Sequence, residues 1–232
     1  LNHPNALSLT RVMGEYDYEI QLLAKGEADA QQFFLELLAD EKQAITRTVI
    51  LKGENEPLYS MKVEFKKNVH RVSSGGKIRF YLDALDITLL QHLAQNARKP
   101  LTELAQSATC SPEVARYRLL RLKKAGVIRS VHARTNKHRL GLSTYIFLLK
   151  LTQPLSSADL NFLHGMENVY YIRYFEGEWS LMVQFFTRNN SDLVKTHEAI
   201  RNRLKPVLQN FELLILLERL KYDPLSFNLK WE

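Results

Sequence analysis

Hydrophobic residues recur with a helical period in the middle of the chain. Over residues 82–96 one helical face carries four leucines, Leu85, Leu89, Leu90 and Leu93. Asp83 or Asp86 suits the start of this helix, where a carboxylate meets the positive end of the helix dipole. The run from Asn96 to Pro100 ends it. A short second helix is expected through Leu104, Ala105 and Ala108, with the Thr102 hydroxyl as its cap.

A third helix follows after a tight turn at 109–111. Ser111 and Pro112 provide an N-cap and a proline at the first helical position, and Gly126 provides a C-terminal stop. Ala115, Leu119 and Leu122 have the spacing of a buried stripe. The opposite face then carries Glu113, Arg116, Tyr117, Leu120 and Lys124. Val127–Arg134 alternates like a strand and Arg134–Arg139 is a basic turn, so a wing is expected after the helix.

The pattern beyond Gly141 is mixed and predicts a βαββαβ order, the ferredoxin-like split unit. The expected elements are a strand at 144–151, a helix at 156–164, strands at 169–175 and 179–186, a helix at 191–204 and a strand at 211–222.

The charge of the chain is concentrated in the helical segment. The net charge is +7, from 32 Lys and Arg against 25 Asp and Glu, yet residues 96–140 hold eleven basic and two acidic residues, a net +9. Clustered Lys and Arg favour a polyanionic partner, because neutralising phosphates releases counterions. A solvated basic face without a partner is the alternative.

A short helix, a tight turn and a basic second helix are typical of a helix-turn-helix, whose second helix enters the major groove of DNA. Its N-terminal residues would contact base edges: Pro112, Glu113, Arg116 and Tyr117. Other side chains of the predicted interface suit phosphates or the groove edge: Thr102, Ser111, Arg121, Lys123, Lys124, Arg134, Lys137 and Arg139. Double-stranded DNA is the expected partner.

Residues 82–141 resemble the DNA-binding module of the Lrp/AsnC (feast/famine) transcription regulators. The matching features are Asp83 with Asp86, Asn96-Ala97-Arg98, Leu104-Ala105, Ser111, Arg118, Leu122, Gly126-Val127-Ile128 and Leu140-Gly141. The resemblance implies a structural or backbone-contacting role for Arg118. It also implies that the ferredoxin-like domain senses effectors and oligomerises, with such domains pairing sheet to sheet.

Effectors of this family are often amino acids, and many members carry Gly-x-x-Asp at the turn between the second and third strands. Here Gly14 and Asp17 keep that pattern and are the candidate effector residues, whereas Gly177 is followed by Ser180 in place of the acid. A homo-oligomer is expected through the ferredoxin-like domains.

The first 66 residues resemble the end of the chain. Residues 5–23 align with residues 168–186 at an offset of 163, pairing Gly14 with Gly177 and Tyr16 with Trp179. Downstream, Asp29–Leu38 mirrors the 191–204 helix and Ala44–Lys52 mirrors Phe211–Lys221. With a small length change, Glu56-Pro57-Leu58 mirrors Asp223-Pro224-Leu225. That any two ferredoxin-like halves look alike is the alternative.

The predicted fold is therefore α+β: a winged helix-turn-helix domain at 82–141, a ferredoxin-like domain at 142–232 and a partial second ferredoxin-like domain at 1–66, with a linker at 67–81. The repeat predicts that the chain begins inside a sensor domain, without its first strand and helix. Another chain, or the segment 67–81, is the alternative source of the missing part.

Other function classes find little support. The longest apolar run has five residues, no signal-peptide pattern is present, and one cysteine cannot form an internal disulfide, so a cytoplasmic protein is expected. The histidines show no metal spacing, and no cofactor or enzymatic activity is expected. A siroheme decarboxylase-like tetrapyrrole enzyme on the same architecture is the alternative, and a sensor that binds only proteins is a third.

Overall fold

The computed structural model describes residues 6–22, 24, 26–41, 45–53, 58–59, 82–128, 131 and 137–222. They group into two compact units. One unit contains the helices between residues 82 and 128. The other contains the N-terminal segment together with residues 137–222.

The helical unit consists of α2 (Ala84–Gln95), α3 (Leu101–Ser107) and α4 (Pro112–Lys124). Asp83 caps α2 in a capping box with Asp86, which confirms the start predicted from the two acids. α3 begins at Leu101 with Pro100 at the N-cap position and no side-chain cap. The expected cap by Thr102 is therefore wrong: Thr102 lies inside the first turn, because the helix starts one residue before it.

The C-terminal part of the second unit has the predicted βαββαβ order. Its elements are β5 (Ser143–Leu151), α5 (Ser157–Gly165), β6 (Val169–Glu176), β7 (Leu181–Thr187), α6 (Asn190–Leu204) and β8 (Leu208–Tyr222). Ser156 and Asn189 cap the two helices through their side-chain oxygens. One face of the sheet packs against α5 and α6 through a core that includes Phe147, Phe185 and Ile200. A short 3₁₀ turn at His138–Leu140 precedes β5.

The N-terminal segment adds strands to both edges of this sheet. Its elements are β1 (Ala6–Met13), β2 (Tyr18–Leu22), α1 (Glu27–Glu41), β3 (Lys52–Gly53) and β4 (Leu58–Tyr59). The strand order is β2-β1-β8-β5-β7-β6-β3, and β4 also pairs with β6. All the pairings are antiparallel.

The registers of these pairings repeat with a constant separation. Met13 lies opposite Ile215, and Lys52 lies opposite Glu176. Ile215 lies 163 residues after Lys52, and Glu176 lies 163 residues after Met13. The two pairs are therefore related by one constant offset, which also separates Tyr16 from Trp179. Every residue pair between β6 and β3 or β4 corresponds, at this offset, to a residue pair between β1 and β8. Every residue pair between β1 and β2 likewise corresponds to a residue pair between β6 and β7. The offset also relates both bounds of α1 to those of α6.

The second face of the sheet is covered by the N-terminal segment. Ile146, Leu148, Met182 and Leu214 pack there with Val12, and the partly buried Tyr16, Val49 and Leu51 join them. Burying this second apolar face removes it from water, which stabilises the arrangement by roughly 25 cal/mol per Å² of apolar surface.

Two predicted strands differ from the structure. The segment Ala44–Lys52, which the repeat matches to the predicted strand at 211–222, carries no strand over its described residues 45–51, and only Lys52–Gly53 pairs. The registers match Lys52 with the position of Ile215 rather than Lys221, and Leu58 with the position of Lys221 rather than Leu225. The length change expected at 56–58 therefore does not appear in the strand registers, and residues 56–57 lie outside the described residues. Val127, Ile128 and Val131 lie outside strands. The rest of the predicted wing strand, and the linker at 67–81, lie outside the described residues.

Candidate nucleic-acid interface

α4 is positioned by signals at both of its ends. The Val114 amide donates to the Ser111 hydroxyl at 3.3 Å, and Pro112 occupies the first turn. At the other end Gly126 has φ +73°, and the amides of Gly126 and Val127 donate to the carbonyls of Lys123 and Leu122. This is a Schellman ending, for which glycine is the preferred residue. The helix predicted from Ser111-Pro112 to Gly126 is confirmed.

The inner face of α4 is anchored in a small apolar core. Ala115 packs with Leu89 of α2 and with Leu104 and Ala105 of α3, and the half-buried Leu119 lies against the same cluster. Leu122 on this face is fully buried as well. The opposite face is exposed and carries the residues for which a DNA role was predicted. Exposed there are Glu113, Arg116, Tyr117, Lys123 and Lys124, with Val114 and Leu120 among them.

An ion-pair cluster joins α4 to the start of α2. Arg118 donates to Asp83 and lies 3.4 Å from Asp86, and Arg121 pairs with the fully buried Asp86. The Asp86 amide and the Arg118 guanidinium hold the pKa of the Asp83 carboxyl below its usual value. The hydrogen bond between Arg118 and Asp83 also raises the pKa of the Arg118 guanidinium. Together these contacts fix the orientation of α4 against α2.

This cluster includes one residue of the predicted DNA interface. Arg121 was expected to contact phosphate, but its guanidinium is directed to Asp86. Without Arg121 the buried Asp86 carboxylate would keep only the longer contact from Arg118, at a cost of about 2–3 kcal/mol. Arg121 therefore makes a structural contact, as Arg118 does, and its expected phosphate contact stays a prediction. For Arg118 the geometry agrees with the structural role implied by the family resemblance.

The turn before α4 has an unusual backbone. Thr109 has φ +53°, a conformation that β-branched residues seldom adopt. The Cys110 amide donates to the Ala105 carbonyl at 3.0 Å, which closes the turn against α3. The turn directs the chain from α3 into α4, so the conformation of Thr109 helps to set the angle between the two helices.

The electrostatics of the first turn of α4 favour an ionised acid. The backbone amide of Glu113 and the Ser111 hydroxyl lower the pKa of the exposed Glu113 carboxyl. The carboxylate therefore stays a hydrogen-bond acceptor at neutral pH, which is the state needed to accept from the amino group of cytosine.

The remaining predicted residues are distributed over both units. Thr102 is exposed in the first turn of α3, and Arg139 is exposed in the 3₁₀ turn. The Lys137 ammonium lies over the Tyr170 ring, 3.8 Å from its centroid, and burial lowers the pKa of Lys137. This contact lies within the unit that contains the sheet, and the expected DNA contact of Lys137 stays a prediction. Arg134 lies outside the described residues.

The predicted effector residues lie at the β1–β2 turn. Gly14 has φ +147°, and a Cβ there would come within 2.7 Å of Leu214. This explains the glycine by packing. The Asp17 side chain is exposed, and its carbonyl accepts from the Val12 amide at 2.8 Å.

Two exposed apolar residues of α4 had no predicted role. The sequence pattern gives no role to Val114 and predicts only an outward position for Leu120. The sequence signal was present, because apolar residues at 114, 117 and 120 lie outside the buried stripe of the helix.

Comparison with known proteins supports the same arrangement. An AsnC-type helix-turn-helix domain model matches residues 82–123. A helix-turn-helix-type transcriptional regulator of Pyrococcus abyssi is 30% identical over 134 residues, covering 56% of this chain and 87% of that protein. The regulatory protein AsnC of Escherichia coli K12 is 27% identical, covering 60% of this chain and 92% of that protein.

Solved structures share the fold over a similar range. Escherichia coli AsnC superposes with a TM-score of 0.52 and 24% identity, covering 63% of this chain and 99% of that one. A Neisseria meningitidis transcriptional regulator solved in complex with L-Met superposes with a TM-score of 0.53 and 22% identity, covering 61% and 94%.

A chain that contains both a capped recognition helix with a basic outer face and a ferredoxin-like domain is a DNA-binding transcription regulator of the helix-turn-helix class. The chain belongs to the Lrp/AsnC family of these regulators.

Two further observations concern other classes of protein. Among the described helices none is long and apolar enough to cross a membrane. Across the described ranges no group of three or more His, Cys, Asp or Glu side chains is placed to hold a metal ion. Two histidines fall within the predicted wing at 127–139: His138 begins the 3₁₀ turn, and His132 lies outside the described residues.

Proposed function

We propose that this regulator contacts DNA through the exposed face of α4, lying in the major groove. The observation that carries the proposal is the division of α4 into an anchored face and a free one. Ala115, Leu122 and the Arg118 ion pairs hold the helix, whereas Glu113, Arg116 and Tyr117 stand in solvent near its N-terminus. Residues at that end of a recognition helix meet base edges.

The chemistry of the exposed side chains separates base contacts from phosphate contacts. Arg116 can donate two hydrogen bonds to guanine, and Glu113 can accept one from cytosine. Lys123 and Lys124, at the far end of α4, suit the phosphate backbone, as does Arg139. Thr102 and Ser111 lie at helix starts, where backbone amides and hydroxyls meet phosphates, whereas Pro112 lies beside the residues expected to contact base edges.

The experiment is selection of bound duplexes from a random pool, followed by affinity measurements on the selected sequence. Arg116→Ala should lose about 1–3 kcal/mol on that sequence and relax the preference at one base pair. Lys124→Ala should weaken all sequences alike. Lys195→Ala, an exposed lysine of α6, is the matched control and should change neither. Equal behaviour of Arg116→Ala and Lys195→Ala would contradict the proposal.

A small-molecule effector is part of the proposal. It is supported by the family and by the L-Met complex of the Neisseria neighbour. The exposed Asp17 carboxylate is the candidate for the amino group of such a ligand. Calorimetric titration with the common amino acids should detect binding that Asp17→Asn weakens at least tenfold. Binding equal in wild type and Asp17→Asn would remove Asp17 from the site.

We infer further that residues 6–59 are a partial second copy of the ferredoxin-like domain. The constant separation of 163 residues in the strand registers supports this inference, since chance similarity would not reproduce the same pairs and the same helix bounds. The described part of this segment contains no counterpart of β5 or α5. The boundaries at 66, 81 and 141 belong to the same proposal.

Contacts across a two-fold interface are reciprocal. If a residue of the first copy contacts a residue of the second, the equivalent residue of the second copy makes the same contact with the first. Gly14 lies against Leu213 and Leu214, and Gly177 lies against Ile50 and Leu51. The two copies would therefore pair within one chain as subunits of a symmetric dimer do. Exchanging Tyr16 and Trp179 tests whether their positions are equivalent. Further assembly through the ferredoxin-like domains is proposed for the intact protein, and sedimentation at several concentrations measures it.

A further inference from the structure

The exposed face of α4 carries an apolar stripe that its charged neighbours do not explain. Val114, Tyr117 and Leu120 are 41%, 65% and 57% exposed. Their spacing of three residues places them next to one another along the helix, within about 5–6 Å between Cβ atoms. Leaving a valine and a leucine in water forgoes the free energy that burial would supply, so contiguous exposed apolar residues indicate a contact surface.

The surroundings of the stripe indicate what covers it. The cationic side chains of Arg116, Lys123 and Lys124 are exposed on the same helix. At its edge Arg118 and Arg121 form ion pairs with Asp83 and Asp86. An apolar stripe bordered by cations suits a partner surface that has anionic groups at its edges and a few apolar groups between them. The major groove of DNA has this character, with phosphates on both sides and thymine C5-methyl groups on its floor.

We propose that Tyr117 and Leu120, flanked by Val114, select DNA by contacting thymine methyl groups. The inference rests on the proposed placement of α4 in the major groove. Glu113 and Arg116 would supply the hydrogen bonds of the same recognition surface, and the stripe would supply an apolar preference for T·A pairs. The preferred duplex therefore contains thymines facing the middle of α4.

The experiment uses deoxyuridine, which pairs like thymine but lacks the methyl group. In the selected duplex each thymine is replaced in turn by deoxyuridine, and affinity is measured with the full chain. At one or more positions affinity should fall about fourfold, the effect of one buried methyl-sized group. Leu120→Ala should remove this difference at its position while the dependence on salt stays unchanged.

A matched control separates the stripe from general apolar exposure. Leu140 is 64% exposed and lies outside α4, so Leu140→Ala should keep the full difference between thymine and deoxyuridine. Because Leu120 is exposed, its truncation leaves the core intact, and circular dichroism verifies the fold.

The outcomes are distinguishable. Sequence-specific binding that is equal for thymine and deoxyuridine at every position overturns the inference and leaves the proposed function standing. Absence of any duplex binding overturns the proposed function itself. If Leu120→Ala leaves DNA binding unchanged but dissociates an oligomer in sedimentation, the stripe is a contact between copies of the chain and the inference is wrong.

Discussion

The Trp179 indole donates a hydrogen bond from Nε1 to the Tyr16 hydroxyl at 3.2 Å, across a separation of 163 residues. These are the two positions that correspond in the proposed repeat. Arg47 lies between another such pair, contacting Glu15 and, at 2.7 Å, Glu178. Residues that correspond under a two-fold axis meet each other only close to that axis. The contact therefore locates the centre of the proposed internal pairing.

Exchanging these two aromatic residues should preserve the interface. Tyr16→Trp alone overpacks the contact and Trp179→Tyr alone leaves a void, so each should lower the free energy of unfolding by about 1–3 kcal/mol. The double variant should recover most of that loss. Urea unfolding of the four proteins measures the coupling. Strictly additive losses would show that the two positions are not equivalent.

Gly14 and Gly177 should be similarly intolerant of alanine. Both have positive φ, +147° and +136°, and a Cβ would lie 3.1 Å from a carbonyl oxygen at each. Each substitution should cost about 2–4 kcal/mol, from backbone strain and the close contact together. Gly141→Ala is the control for strain alone, since its φ is +70° in open space, and should cost about 1–2 kcal/mol. Equal losses at Gly14 and Gly141 would contradict the packing argument.

Asp86→Asn should destabilise the helical unit. The buried carboxylate serves Arg118 and Arg121 at once, so removing its charge leaves two cations without their shared partner. We expect a loss of about 2–3 kcal/mol in thermal or urea unfolding. Glu103→Gln, on the exposed side of α3, should change stability by less than about 0.5 kcal/mol. A loss at Asp86 as small as at Glu103 would mean that the cluster does not orient α4.

Thr109→Asn should stabilise the turn between α3 and α4. Asparagine adopts positive φ more readily than a β-branched residue, so the strain at φ +53° is relieved. A gain of about 0.5–1 kcal/mol is expected. Thr102→Asn, the same change inside a helix, should lower stability or leave it unchanged. A loss at Thr109 would indicate that its side chain makes a contact that outweighs the strain.

Because of Glu19, we expect the free energy of unfolding of the unit that contains the sheet to depend on pH. Burial raises the pKa of the Glu19 carboxyl above the ordinary 4.5, and the hydrogen bond from Gln21 and the charges of Arg219 and Arg173 only partly oppose this. The folded chain then binds more protons than the unfolded chain between the two pKa values. The free energy of unfolding should therefore fall as pH rises from about 4.5 through the folded pKa.

Glu19→Gln should flatten this dependence and raise stability at neutral pH, because the amide stays uncharged. Denaturant midpoints measured between pH 4 and 8 provide the comparison with wild type. An unchanged slope in the variant would assign the pH dependence to another group.

Local signals in the sequence predicted most of both units. Ser111-Pro112 and Gly126 marked α4 because capping depends on adjacent residues, and the strands β5 to β8 followed from their apolar runs. The strand expected at Ala44–Lys52 was wrong, since its apolar residues Val49 and Leu51 pack against the sheet face without pairing as a strand. The pattern of apolar residues in the sequence predicts that a residue is buried. It does not predict whether its backbone pairs with a strand of the sheet.

The interface was predicted less completely than the fold. The basic residues of α4 were identified, but a count of charge cannot separate Arg121, which pairs with Asp86, from Lys124, which is exposed. The pairing depends on how α4 crosses α2, and that is a property of the tertiary packing. For the same reason Val114 received no role, because its exposure follows from the orientation of the helix.

The salt dependence of DNA affinity shows directly whether α4 contacts the phosphate backbone. The logarithm of the association constant is measured against the logarithm of salt concentration between about 50 and 200 mM, for wild type and Lys124→Ala. We expect a steep linear decrease, about 0.9 per phosphate contacted, with the slope of Lys124→Ala lower by about 1. Affinity that does not change with salt, or an unaltered slope in Lys124→Ala, would contradict the placement of α4 on DNA.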